Sequence, residues 1–531
     1  MGWFFKQASR SCVISLFACV IFVLGSMLVP AQQLHAAGNT YYVATYGNNN
    51  NPGTITQPWL TIMHATQKAT AGDTIYVRGG IYYENISFAN SGTEGSWITL
   101  KNYPGESPVI DGTNMVDPGY QNGIINLTAS YLHIEGFEIK TSQYYHGVFM
   151  WSTTGNRNIY LKDLVIHDTW MSGICISALH QASPITNVTI DGCEVYNCNQ
   201  MGSFSDENIS LINVDGFEIM NCHTHNNLQE GIDVKCGSKN GVIHHNEVEG
   251  SPSVGIYVDG FDRSQSNIDV YCNKVHHNQT GMALSCELSS GNSMTDINFY
   301  NNLIYNNTEG GWVVWPLVKG YNNNFEKTFT LVNNTFYLNA GGQIYIGQES
   351  EYQTGCVVRN NICVGANDFC VLIQYDDYAS GGVIIDHNLF YALDGSYNAY
   401  NKYGTDYIYD KDPLLVNPVS DFRISSDSPA RDNGSSNLAP TFDFAGISRP
   451  KGSGFDIGAY ETVTDSFASH ASDEEVMRFF GALPLFYLAY FQQTCMLPSF
   501  ITICIFIFSY ASIDCFVTPR FVNYFSISDS N

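Results

Sequence analysis

The chain has 531 residues, only 14% of them charged, and 49 acidic against 23 basic side chains leave a formal net charge of −26. Charge this sparse excludes coiled coils and charge-driven disorder, and a balance this acidic excludes nucleic acid as a partner, because phosphate binding needs a basic surface. Plentiful glycine, tyrosine and phenylalanine favour strands and tight turns, and the acidic excess suggests an exported protein that binds a hard cation.

In chain order, Lys6 and Arg10 precede an uncharged run over residues 12–29 and a segment ending Leu34-His35-Ala36-Ala37. Residues 1–37 therefore read as a signal peptide, and the protein is expected to be secreted or held at the cell surface; an uncleaved anchor is the alternative. Residues 38–110 are expected to form an N-terminal cap and the first coils. There Tyr41-Tyr42-Val43 reads as a strand and residues 58–71 as a short amphipathic helix carrying Trp59, Ile62 and Ala65. Thr74-Ile75-Tyr76-Val77 is the strand that enters the repeats.

Residues 111–400 carry a repeat. A marked residue recurs every 24 to 32 positions: Phe137, Leu164, Cys193, Phe217, Asn246, Asn273, Asn302, Asn334, Asn361 and Asn388, each with an apolar partner two residues on. Such a period implies stacked coils, here a parallel β-helix of about ten or more turns with strands stacked about 4.8 Å apart. Six asparagines in one column imply an amide ladder at a turn. A second column starts with glycine: Gly147, Gly173, Gly202, Gly231, Gly255, Gly281, Gly311 and Gly342. Positions one and three after each glycine are mostly apolar and point inward, so positions two and four are expected to face solvent.

Those outward positions differ from coil to coil. Position two reads Phe149, Cys175, Phe204, Asp233, Tyr257, Ala283, Val313 and Ile344; position four reads Trp151, Ser177, Asp206, Lys235, Asp259, Ser285, Trp315 and Ile346. Charge is confined to the three central coils, with Glu207, Asp262, Arg263 and Glu287 close by, and Trp151 and Trp315 stand at the flanks, where aromatic faces would stack on sugar rings.

Ten of the 15 cysteines fall between Cys175 and Cys370. Cys198 and Cys222 read as equivalent positions in consecutive coils, either bridged or stacked as small buried residues. The pairs His244-His245 and His276-His277 read as stacked surface turns rather than metal ligands. Residues 401–462, with Asp412-Pro413-Leu414, are expected to close the far end of the coil. Residues 463–531 form a tail with an apolar run at 497–513, either a membrane anchor or an extension without a role.

Tyr41-Tyr42-Val43, Asn51-Pro52-Gly53-Thr54, Pro58-Trp59-Leu60-Thr61-Ile62 and Ala71-Gly72-Asp73-Thr74-Ile75-Tyr76-Val77 resemble the opening of secreted right-handed parallel β-helix proteins. Among these are the family 9 polysaccharide lyases, the pectate lyases. The stretch from Ser428-Pro429-Ala430 to Gly458-Ala459-Tyr460-Glu461 is similar to the segment that closes them. The resemblance implies an all-β, right-handed parallel β-helix. Family 9 lyases cleave polygalacturonate by β-elimination, with calcium on clustered aspartates and a lysine as base. Gly231-Ile232-Asp233-Val234-Lys235 is similar to the segment that carries that lysine, although this chain spreads its aspartates over neighbouring coils.

The expectation is a calcium-assisted lyase acting on an acidic, uronate-containing polysaccharide. Lys235 would be the base, with Arg263 as a second catalytic cation. Asp206, Asp233 and Asp259 would hold Ca²⁺, and Trp151, Tyr257, Ser285, Glu287 and Trp315 would bind substrate. Asp206 and Asp259, read as flanking Lys235, would raise its pKa unless calcium occupied them. A glycoside hydrolase using the same aspartates, a uronate epimerase using Tyr257, Asp259, Asp262 and Arg263, and a glycan-binding surface protein remain the alternatives. A monomer is expected, with a membrane involved only through the tail or an uncleaved signal.

Overall fold

Strands that alternate Val or Ile with polar residues have one apolar face, and a chain of them buries that face by coiling and stacking. The computed structural model describes residues 38–115, 122–202, 206–285, 292–314, 326–346, 355–366, 371–373, 383–395 and 404–463. The expected signal segment and tail lie outside these residues. The chain winds as an all-β parallel solenoid, each coil giving one strand in turn to a first, a second and a third sheet, of 13, 13 and 11 strands. Like residues stack: Ile190, Ile219, Ile243, Val270, Phe299, Leu331, Val358 and Ile385 are partners in successive coils of the first sheet, all buried. Among the described residues no helix is long and apolar enough to cross a membrane.

The asparagine ladder forms at the turn from the first sheet to the second. Asn246 donates to Asn273 Oδ1 from both its backbone N and its Nδ2, each at 3.0 Å, and the same double bond recurs through Asn302, Asn334, Asn361 and Asn388. The residue before each rung is left-handed (His245, Cys272, Asn301, Asn333 and Asn360 have φ between 53° and 57°), a conformation that short polar residues tolerate best. The ladder starts differently from the expectation. Cys222, whose N donates to Asn246 Oδ1, holds the position assigned to Phe217, and Phe217 lies within the strand Val214–Met220, opposite Gly241. Either residue divides the interval from Cys193 to Asn246 into 24 and 29, so spacing does not discriminate.

That shift also moves the cysteines. Cys222 follows Cys193 in the next coil, whereas Cys198 precedes Asn227, so Cys198 and Cys222 are not equivalent; both are buried free thiols. A second amide ladder, at the turn from the second sheet to the third, links Asn278, Asn307 and Asn339 and ends on Gln343 Oε1.

The N-terminal cap has the expected strand, Thr40–Val43, but its helix is shorter, Ile62–Lys68 (α1), capped by the Thr61 hydroxyl. Trp59 lies before α1, stacked on Tyr41 at 4.5 Å. At the other end Ile408–Tyr409 adds a last rung to the second sheet. Residues after it lie along the flank of the solenoid rather than over its end: Arg449 reaches Asn301, Ala459 reaches Thr335 and Gly458 reaches Asn360, anchored by a buried Arg449–Glu461 ion pair of 2.7 Å.

Candidate active site

The third sheet carries the charged coils. Its glycine column exists because a Cβ there would strike the next coil: one added to Gly231, Gly255 or Gly281 would lie 2.5 to 2.7 Å from the carbonyl oxygen of the following glycine. Two members of the column differ from the expectation. Asn208, not Gly202, pairs in register between Gly173 and Gly231, and Gln343, not Gly342, follows Gly311. Both carry amides that join the second ladder's turn. In the third coil the outward positions are therefore Ser210 and Ile212, and Asp206 reaches the site from the segment that precedes the strand Ile209–Ile212. Lys235 is flanked by Ile212 and Asp259 rather than by Asp206 and Asp259.

The inward positions are buried as expected: Ile232, Val234, Ile256, Val258, Met282 and Leu284 are all 0% exposed. The outward positions do not face open solvent. Those from Phe149 to Asp259, Ser210 apart, with Asp206, Glu207, Glu230, Leu179 and Phe261, line most of a cavity of about 520 Å³, in which Phe149, Trp151, Leu179, Ile212 and Phe261 form an apolar cluster beside the charged groups. Asp233 and Glu207 are each 1% exposed, and the Lys235 side chain 11%.

Lys235 Nζ lies 3.0 Å from Asp233 Oδ2 and also bonds Glu207 Oε1. Burial works against its ammonium, but Asp233 and Glu207 outweigh that, and its pKa stands well above the ordinary lysine value. Burial pushes the Glu207 carboxyl up to about 7 against the pull of Lys235, and pushes Asp233 well above the ordinary aspartate value. Glu207 Oε2, Glu230 Oε2 and Asp233 Oδ1 are buried without a hydrogen-bond partner. His146 stacks on Phe149 at 4.6 Å, 3.8 Å from Asp206, and burial lowers its pKa to about 4, so it is neutral. Ser172 donates to Asp206 at 3.1 Å, and Phe261 N donates to Asp259 at 2.7 Å.

Of the expected site residues, the fold brings Lys235, Asp206, Asp233, Asp259, Tyr257 and Trp151 into one cavity. Arg263 lies outside it, its Nη1 bonded to the Gln181 carbonyl at 3.0 Å, and Ser285, opposite Asp259 one coil on, is buried outside the lining. Trp315, Glu287 and Phe204 lie outside the described residues. Sequence reasoning missed His146, Glu230 and Phe261 and left Glu207 without a role; its place beside Asp206 was the available signal. Calcium does not fit the arrangement as it stands. Among the described residues no three carboxylates of the cavity bring oxygen atoms within 4.8 Å of one another, and the Lys235 ammonium contacts both Glu207 and Asp233.

Comparison with known proteins agrees with the fold. YwoF of Bacillus subtilis (strain 168), an uncharacterised protein, is 25% identical over 451 residues, 74% of this chain and 92% of that one. Pectate lyase PEL9 of Emericella nidulans is 39% identical over 103 residues, 18% of this chain and 25% of that one. The crystal structure of pectate lyase Pel9A superposes with a TM-score of 0.47 at 16% identity, over 80% of this chain and 97% of that one. A family model for the Pel9A-like right-handed β-helix region matches residues 41–341. The chain belongs to the Pel9A-like right-handed β-helix family.

Proposed function

We propose that the protein is a carbohydrate-active enzyme that cleaves a polysaccharide in this cleft, and that the carboxyl groups around Lys235, rather than its amine, move the protons. The observation that carries this is the contact of Glu207 and Asp233 with one ammonium, both carboxyls being raised by burial. A carboxyl with a pKa near 7 is suited to give a proton to a leaving glycosidic oxygen and take one back. Two oxygens that touch one Nζ are at most about 6 Å apart, which is too close for an inverting pair and favours the tighter spacing of a retaining one. As the carbon–oxygen bond breaks, one carboxyl protonates the leaving oxygen, and the other, as carboxylate, meets the developing positive charge. Trp151, Phe149 and Phe261 supply the apolar wall on which sugar rings would lie. Five cavity carboxylates against one lysine favour a neutral glycan over an anionic one. Export through residues 1–37 and action as a monomer complete the proposal.

A second reading, β-elimination on a uronate polymer with Lys235 as base, is favoured by the likeness of one segment to pectate lyase PEL9. It needs a neutral amine, and hence neutralisation of the carboxylates that hold the proton on Lys235. The test is incubation of the full chain with pectate, alginate, glycosaminoglycans and neutral glycans, with and without chelator. New reducing ends without ultraviolet absorption, insensitive to chelator and lost in Glu207→Gln or Asp233→Asn, are expected. An unsaturated, absorbing product that chelator abolishes would establish the second reading, and no turnover on any glycan would leave a binding protein.

A further inference from the structure

We propose a transition-metal site on the second sheet, separate from the cleft, in which Glu194, His223 and His225 hold one divalent ion of the zinc class. The strand His223–His225 buries Thr224 completely and sends both imidazoles to the outer face. Glu194 lies opposite His223 in the preceding coil. One ligand atom from each of the three lies within 4.8 Å of the other two, and His225 Nε2 is 3.2 Å from Glu194 Oε1.

These spacings suit an ion. Ligands at about 2.0–2.1 Å from a tetrahedral zinc lie about 3.3 Å apart, so an ion can replace the histidine–glutamate hydrogen bond with little side-chain movement. Two imidazoles and one carboxylate form a donor set for zinc, copper or nickel, not for calcium, which takes oxygen ligands. The rings are also held ready. His225 stacks on Tyr196 at 4.6 Å, and Asn226 Nδ2 donates to His225 Nδ1 at 3.2 Å, which puts the ring proton on Nε2 towards Glu194 Oε1, where an ion would displace it. His244 and Glu218, 3.1 Å apart in the first sheet, show the contrast: His245 meets His244 at its other ring nitrogen, and among the described residues no third ligand atom lies within 4.8 Å of both. Two coils further along the second sheet, Glu249, His276 and His277 make a similar trio, with Glu249 also 3.2 Å from His223 Nε2. An ion at Glu194, His223 and His225 clips two successive coils together and stabilises the folded chain by mass action.

The experiment is calorimetric titration of the chelator-stripped full chain with Zn²⁺, using Ca²⁺ as the control. Saturable Zn²⁺ binding that raises the thermal midpoint is expected for the wild type. One ion should be lost in His223→Gln/His225→Gln, and affinity should fall at least about tenfold in Glu194→Gln, which alters a half-exposed carboxylate and spares the core. A second ion persisting in the double variant would assign the neighbouring trio and leave the proposal standing. No saturable Zn²⁺ uptake by the wild type, or unchanged binding in both variants, would overturn it. None of these readouts depends on glycan cleavage.

Discussion

Glu207→Gln removes the buried carboxyl that defines the proposed acid. Glutamate titrates ordinarily at 4.5, and in this fold Glu207 does so at about 7. The folded state thus holds that proton more tightly than the unfolded chain, so the group's penalty is absent below pH 4.5 and complete once pH has risen through 7. At about 1.4 kcal/mol per pH unit across this window, ionised Glu207 costs the fold about 3 kcal/mol. Glutamine carries no charge at any pH. The stability of the variant relative to wild type should therefore rise by about 3 kcal/mol between about pH 4.5 and pH 8, followed by urea unfolding monitored by circular dichroism. The limb of kcat/KM near pH 7 should vanish in the same variant. Stability curves that run parallel over this range would refute the account, since Glu207 would then be titrating like a solvated carboxyl.

Three further outcomes follow from the same contacts. Lys235→Met leaves Glu207 and Asp233 without their cation; a loss of about 3–5 kcal/mol is expected near pH 8 and less near pH 5, where Glu207 holds its proton, read by urea unfolding at the two pH values. Gly255→Ala puts a Cβ 2.6 Å from the Gly281 carbonyl oxygen and should cost at least about 1–3 kcal/mol, whereas Gly105→Ala meets nothing within 4 Å and should cost only about 1–2 kcal/mol for its left-handed backbone. Equal shifts in thermal midpoint would contradict this. Asn302→Leu orphans the Asn273 backbone N–H and the Val270 carbonyl, each bonded at 3.0 Å or less, and should destabilise by about 2–6 kcal/mol, with hydrogen exchange fastest at the neighbouring rungs.

The solenoid was legible because stacking copies each coil's needs onto the next. An asparagine that bonds its neighbour's amide must recur in each coil, and a glycine pressed against the next coil's carbonyl must recur with it, so period, ladder and inward columns all stand in the sequence. The errors sit where a coil changes length. Cys222 replaces Phe217 in the ladder because two intervals of 24 and 29 can be taken in either order. Asn208 replaces Gly202 because the segment leading to Ile209–Ile212 is longer than in neighbouring coils.

The opening composition foretold few charges and an acidic surplus, and the repeat explains the first: a chain that satisfies its turns with asparagine amides and its core with Val and Ile has little use for ions. Which carboxylates of that surplus matter was decided only by tertiary structure. Alternation along a strand tells inward from outward, but not whether something stands over the outward face. Here Asp233, Glu207 and most of the Lys235 side chain are buried in a cavity that Trp151, Leu179 and Phe261 help to line, and that burial turns a row of surface charges into a lysine held as its ammonium by two carboxyls whose pKa values stand above the ordinary. Sequence alone determined the coil and the strand on which the lysine sits. Its charge state followed from desolvation and two contacts, one of them with a glutamate 28 residues away in another coil.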